Sequence, residues 1–535
     1  MKRKVQALIL TICLVAGSFL TACSKEKNVE ALNIVDDNYR NYYEIFVGSF
    51  YDSDGNGTGD LQGVIQKLDY INDGDDKTDT DLGFNGIWLM PIMPSDSYHK
   101  YDVKDYYDID KSYGTMEDME QLIEECHKRG IKLIIDMVFN HTSASHPWFT
   151  EACDYLKSLP EGAEPDTSQC KYVNYYNFAK DKGGVNTWHQ VGNSEWYYEC
   201  VFWDQMPDLN LGNEDVRNEI ENIATFWLDK GVDGFRLDAA KEYYSGEVDR
   251  NVEVLSWFTN YVKSVDKDAY VVAEVWEKSD TIAKYYASGI TSLFDFPMSQ
   301  SDGRIAKTVR GVADDKSFTE ALEAFDSKYR AQNPAYIDAP FLSNHDTARV
   351  GAQYAYNENQ MKYAAGLLMT ESGSPFVYYG EEIGMASSGK KDENKRLAMY
   401  WSDDDKTGIA NDPVGADEVK QKFEPVDKQI EDENSIYNYY KKAIRIRNTY
   451  PEIARGTIQA VKDIKQKNVS AMTKTWKDDT IGIICNSSEK EVKISLKDIG
   501  MEKMSVCNYL TVDGSEITST KEEIKMPAYS IVFLK

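Results

Sequence analysis

The chain has 535 residues, 42% of them hydrophobic, and a net charge of −29. That length exceeds what one hydrophobic core usually supports, so a large domain with smaller ones attached is expected. The negative charge argues against nucleic acid and anionic membrane surfaces as partners, because both repel such a protein; it fits a neutral substrate and a soluble protein working outside the cell.

In chain order, the first residues read as a targeting signal. Lys2, Arg3 and Lys4 give a positive start, and Val5 to Phe19 is apolar but too short for a comfortable membrane span. Leu20-Thr21-Ala22-Cys23 then resembles a bacterial lipobox, in which the peptide is cut before the cysteine and its thiol is acylated. By that resemblance residues 1–22 are a lipoprotein signal peptide, Cys23 carries lipid, and the protein is anchored at the outer face of the cell membrane. A plain secretory signal with a chance cysteine is the weaker reading, because small residue and cysteine both stand where the motif needs them. Residues 23–38 form a polar, charged tether. Of the eight cysteines, Cys13 leaves with the signal. Cys126, Cys153, Cys170, Cys200, Cys485 and Cys507 remain besides Cys23, without metal-ligand spacing. Cys153 and Cys170 are the first pair to test for a disulfide, with buried free thiols the equal alternative.

Strand-like apolar stretches then alternate with helical patterns, which argues for parallel βα units. Tyr42 to Phe50, Gly86 to Met90, Ile131 to Asp136, Gly234 to Leu237, Tyr270 to Val275, Leu293 to Phe296, Phe341 to Ser343 and Phe376 to Tyr379 are the candidate strands. Thr115 to Arg129 and Glu214 to Lys230 have helical periodicity, closed by Gly130 and Gly231. This spacing predicts an α/β fold, a (β/α)8 TIM barrel. His141 to Met206 interrupts the rhythm and is too long for a structureless loop, so 142–205 is expected to be an inserted small domain. The barrel would comprise 39–141 and 206–455. From Gly456 to Lys535 short alternating stretches suggest a C-terminal antiparallel β domain.

In such a barrel the C-terminal strand ends carry catalysis. Here the third ends Asp136-Met137-Val138-Phe139-Asn140-His141, the fourth Arg236-Leu237-Asp238, the fifth Ala273-Glu274, and the seventh Ser343-Asn344-His345-Asp346. Each acid alone reads as solvated or structural; together they converge on one mouth. Paired carboxylates suit glycoside hydrolysis, one attacking the anomeric carbon while the other protonates the leaving oxygen and later activates water. Arginine beside the nucleophile keeps it ionised, and neutral histidines can donate to sugar hydroxyls.

These strand ends are similar to the ordered motifs of the α-amylase family, glycoside hydrolase family 13. Asp136-x-x-x-Asn140-His141, Gly234-Phe235-Arg236-Leu237-Asp238-Ala239-Ala240-Lys241, Glu274 and Phe341-Leu342-Ser343-Asn344-His345-Asp346 match its first four regions in order. Gly373-x-Pro375-x-x-x-Tyr379-Gly380-x-Glu382 resembles the region around its eighth strand. The resemblance implies a barrel with a domain B after the third strand and a C-terminal β domain. It also implies Asp238 as nucleophile, Glu274 as acid/base and Asp346 as the carboxylate holding the distorted sugar. Arg236, His141, His345, Tyr101, Asp102, Lys241 and Arg349 would bind substrate. The family is retaining, so the Asp238 and Glu274 carboxyls are expected roughly 5–5.5 Å apart. One departure is Lys241-Glu242, where many members have Lys-His; it puts the leaving-group side in doubt.

Asp52-Ser53-Asp54-Gly55-Asn56-Gly57-Thr58-Gly59-Asp60 alternates oxygen side chains with glycines, a spacing suited to Ca²⁺ but lacking the final Glu of an EF-hand. By resemblance to a loop that some family members use, Asp52, Asp54, Asn56 and Asp60 would donate side chains and Thr58 its carbonyl. A second family site involving Asn140 is left open. Met206-Pro207-Asp208-Leu209-Asn210 resembles the group between oligo-1,6-glucosidases and neopullulanases, which includes many α-amylases. The resemblance thus implies a monomeric endo-acting α-1,4-glucanase on starch and maltooligosaccharides. Alternatives are an exo-acting α-glucosidase or neopullulanase-like enzyme and, lower, a non-catalytic glucan-binding lipoprotein, which would be expected to have lost one of the three carboxylates.

Overall fold

The computed structural model describes residues 31–184, 186–312, 317–387, 389 and 391–535. The expected signal peptide, Cys23 and the start of the expected tether lie outside the described residues. Among the described residues no helix is long and apolar enough to cross a membrane.

Seven strands form one parallel sheet: β1 (Tyr42–Ile45), β2 (Gly86–Leu89), β3 (Lys132–Met137), β4 (Gly234–Leu237), β5 (Tyr270–Ala273), β6 (Ser292–Leu293) and β7 (Phe376–Tyr378). Their order is β7-β1-β2-β3-β4-β5-β6. The chain at 339–341 closes the ring through parallel bridges Phe294↔Ala339 and Phe341↔Phe376. The expected strand at Phe341–Ser343 is therefore reduced to a bridge. Pro340, which has no N–H to donate, immediately precedes it, between the bridging residues Ala339 and Phe341. β1 is also shorter than its apolar run: it stops at Ile45, and Val47–Phe50 turns helical. There the following loop folds back, with Gly59 N–H donating to Gly48 O at 2.8 Å and Asp60 N–H to Tyr51 O at 3.1 Å.

The barrel is filled, not hollow. The Tyr42 ring stacks between Tyr270 and Phe376, with centroids 5.1 and 4.6 Å away, and Trp88, Ile134, Phe294 and Phe341 complete this inner cluster. Helices cover the outside, so strand residues are buried on both faces. The helix Met116–Lys128 shows how: Thr115 and Asp118 form a capping box at its start, Met119, Leu122, Ile123 and Cys126 make its buried face, and Gly130 follows its end at φ 70°. At the start of β4 only glycine fits, because a Cβ on Gly234 would stand 1.9 Å from Tyr270 O.

Between β3 and β4 the insertion holds a helix, Pro147–Ser158, and an antiparallel sheet of Phe178–Ala179, Tyr197–Cys200 and Thr187–Gln190. Bridges His141↔Asp208 and Tyr176↔Leu209 tie it to the barrel mouth. After the helix Ile436–Thr449 the chain becomes antiparallel β, a five-stranded sheet facing a three-stranded one around a core that includes Ile484, Ile494, Ile524 and Val532. Buried Lys474 joins this unit to the barrel, its Nζ donating to Thr370 O and Ile453 O at 2.7 Å. The six described cysteines are all free thiols, Cys153 and Cys170 included, so the disulfide first considered is not formed.

Candidate active site

The strand ends converge on one guanidinium. Arg236, 1% exposed, donates from one terminal nitrogen to Asp238 Oδ1 and to Asp136 Oδ1, both at 2.7 Å, and from the other to Glu274 Oε2 at 2.9 Å. A planar fork of this kind fixes several carboxylates at once, which a lysine cannot do. The backbone contributes too. Ala239 follows Asp238 at φ 50°, a left-handed conformation costly for a residue with a Cβ, and its N–H donates to Glu274 Oε2 at 3.1 Å.

The carboxyls are held in different states. Burial pushes Glu274 up to about 7; Arg236 opposes this, while Asp238 and Asp346 add repulsion. Burial likewise raises Asp136 to about 6 against the pull of Arg236. Asp346 goes the other way. Burial would raise it, but His345 and Arg396 outweigh burial and hold it well below the usual carboxylate range. Its Oδ2 lies 3.0 Å from His345 Nε2 and its Oδ1 accepts from Arg396 at 2.9 Å. Glu274 thus retains a proton near neutrality, as a general acid of glycoside cleavage must, while its neighbour Asp346 stays charged.

Asp238, Glu274, Asp346 and Arg396 line a cavity of about 520 Å³, together with His99, Tyr101, His141, Phe202, Lys241 and Trp276. Tyr101 stacks on His345 with centroids 5.5 Å apart and places its hydroxyl 2.7 Å from Nε2. Burial lowers the pKa of His141, the direction that favours the expected neutral ring. His345 departs from that expectation: burial would pull it down, but Asp346 and Glu44 raise it to about 9. Lys241 reaches along the far wall, Nζ donating to Trp276 O at 3.3 Å. Trp276, 40% exposed, stacks on Phe296 at 4.9 Å. It also lines an adjoining cleft of about 490 Å³.

Arg236 and His345, expected to bind substrate, are buried behind the cavity and hold its carboxylates instead, and Arg349 and Asp102 also stand away from it. Arg349 is buried behind the cavity, donating to Tyr379 O at 2.6 Å and Lys395 O at 3.1 Å. The arginine that reaches Asp346 is Arg396, in an irregular segment with no periodic signal to mark it. Asp102 accepts from Ser95 Oγ at 2.6 Å and from Ser97, so it braces the loop carrying Tyr101 rather than lining the cavity. Asp208, not singled out from sequence, accepts from Asn140 Nδ2 at 3.3 Å, and burial pushes it up to about 8.

The acidic loop after β1 brings carboxylate oxygens of Asp52, Asp54 and Asp60 within 4.8 Å of one another. N–H groups of Gly57, Gly55 and Asn56 hold Asp52 below its usual range despite burial, which raises it. Asn56 Oδ1 accepts from Thr58 N–H at 2.8 Å. Three ionisable oxygens gathered on a tight turn are a donor set of the type a hard cation takes.

The family description "Alpha amylase, catalytic domain" matches residues 44–456. "Alpha-amylase 3" of Dictyoglomus thermophilum is 38% identical over 504 residues, covering 93% of each chain. An oligo-1,6-glucosidase of Parageobacillus thermoglucosidasius is 29% identical, over 89% of this chain and 95% of that one. Among solved structures, Amy13B of Eubacterium rectale superposes with a TM-score of 0.90 at 46% identity, over 95% of this chain and 97% of that one. With a parallel barrel, paired carboxyls bridged by one arginine, and these likenesses, the chain belongs to the α-amylase family of glycoside hydrolases.

Proposed function

We propose that this α-glucan hydrolase acts within chains, as an α-1,4-glucanase on starch and maltooligosaccharides. The observation carrying the endo reading is the 38% identity to an α-amylase over 93% of each chain. The site agrees with it: Trp276, 40% exposed and stacked on buried Phe296, lines both the cavity and an adjoining cleft on the leaving-group side. That side has room for further sugars; an enzyme releasing single sugars would be closed on the other side, past the sugar attacked.

In this reading Asp238, charged beside Arg236, attacks the anomeric carbon while Glu274 protonates the departing oxygen. A glycosyl ester forms on Asp238, the leaving chain departs with the proton, and Glu274 then takes a proton from the water that cleaves the ester. Asp346 accepts from sugar hydroxyls, with His141 and Tyr101 on the same sugar and Lys241 on the leaving-group side. The product pattern over time on amylose, pullulan and maltoheptaose tests this. A spread of oligosaccharides with rapidly falling amylose length is expected. Glucose from the start would favour the exo alternative, panose from pullulan the neopullulanase-like one, and glucan binding without products a non-catalytic binder.

Calcium belongs to the same proposal. Asp52, Asp54, Asn56 and Asp60, with Thr58 through its carbonyl, would hold it, and a bound ion would supply charge neutralisation to the turn. A melting temperature indifferent to chelator and to added Ca²⁺ would remove the ion from the account. We further propose that Cys23 carries the lipid anchor and that the protein works as a monomer at the outer face of the membrane. Loss of membrane association in Cys23→Ser, and a monomer mass in sedimentation, are the expected results; their opposites would sink these two points.

A further inference from the structure

β1 also ends in an acid. Glu44, 1% exposed, places Oε1 2.5 Å from His345 Nδ1. Across the ring, Nε2 lies 3.0 Å from Asp346 Oδ2 and 2.7 Å from the Tyr101 hydroxyl. A neutral imidazole has one N–H and one bare lone pair. With the Tyr101 hydroxyl donating to Asp136, that lone pair would face a carboxylate oxygen in either tautomer. A second proton replaces this repulsion with a charge-assisted hydrogen bond on each side.

We propose that Glu44 is a positioning residue of glucan cleavage: with Asp346 it holds His345 as an imidazolium, and this cation keeps Asp346 ionised and turned to the sugar. Glu44 is not among the groups lining the cavity and acts through His345 alone. Around the ring, β1 contributes Glu44, the segment after β2 Tyr101, and the ring's own segment Asp346. β3 contributes Asp136, which accepts from Tyr101 at 3.2 Å and is paired with Arg236. Trp88 closes the remaining side edge-on at 5.5 Å, and Arg396 holds the far oxygen of Asp346. The raised His345 pKa, about 9, agrees with this charge balance.

The proposal rests on the hydrolase reading only for its rate measurements. Glu44→Gln keeps the shape and removes the charge. His345 should then titrate about one to three pH units lower. The ratio of wild-type to Glu44→Gln kcat/KM should grow about tenfold between pH 6 and 8, and Glu44→Asp should restore most of the difference. Loss by one constant factor at every pH would overturn the proposal, because a merely structural role predicts that. If Glu44→Gln does not fold, imidazole nitrogen shifts in the unaltered protein decide. Two protonated nitrogens on His345 at pH 8 support the inference and a neutral ring overturns it. That spectrum needs no glucan, so an imidazolium in a protein that cleaves nothing would fault the hydrolase reading and not the pair.

Discussion

The two ends of the barrel are built from the same strands to opposite plans. At the C-terminal mouth the five acids Glu44, Asp136, Asp238, Glu274 and Asp346 are packed around Arg236 and His345. Deeper inside, Tyr42, Tyr270 and Phe376 stack ring on ring, and the Tyr42 hydroxyl finds no hydrogen-bond partner among the described residues. The inner stack contributes stability through buried area; the mouth holds charges whose crowding is unfavourable to the fold and useful to chemistry. Mutations at the two ends should therefore separate rate from stability.

The largest contrast is Asp238→Asn. We expect kcat on maltoheptaose to fall about 10⁴-fold while the melting temperature holds or rises, since one charge leaves a crowded group. A large drop in melting temperature would mean that the mouth also carries the fold. Tyr42→Ala should do the reverse, lowering unfolding free energy by about 3–5 kcal/mol with kcat of the folded protein unchanged. Denaturant melts and initial rates on the same samples would show it, and a rate loss matching the stability loss would erase the distinction.

The smallest effect is a pH dependence. Glu274 must carry its proton to act as acid, so kcat/KM should fall above about pH 7. Because its folded pKa is raised, the native state keeps a proton that the unfolded chain releases. That contribution to stability is complete below the ordinary carboxyl pKa and is lost as pH rises through about 7. Glu274→Gln should flatten both curves; an alkaline limb surviving in Glu274→Gln would assign it to another group.

The mouth was largely legible in the sequence because chemistry and geometry agree there. Asp136, Asp238 and Glu274 stand at strand ends, and a strand end in a barrel is an address. Glu44 satisfies the same rule yet was passed over, because the apolar run around it continues to Phe50 and hides where β1 stops. The short helix Val47–Phe50 depends on contacts with residues 59 and 60, which local periodicity does not register. Arg349 stands behind the cavity, and Arg396, which no sequence signal marked, reaches Asp346, for a similar reason. Both lie in irregular segments, where position follows from packing against Tyr378, Tyr379 and Tyr98 rather than from pattern. The raised pKa of His345 is not legible locally because it depends on Asp346 together with Glu44, 301 residues away in the chain. Sequence spacing located the ionisable groups; only the folded arrangement sets which of them keep their protons.

The central claim is the division of labour between Asp238 and Glu274. A mechanism-based fluoroglycoside, 5-fluoro maltosyl fluoride, should trap the glycosyl ester, and peptide mapping by mass spectrometry would locate it. The account requires the label on Asp238, with hydrolysis of ordinary substrate releasing the α-anomer first. A label on Glu274 or Asp346, or the β-anomer appearing first, would contradict it.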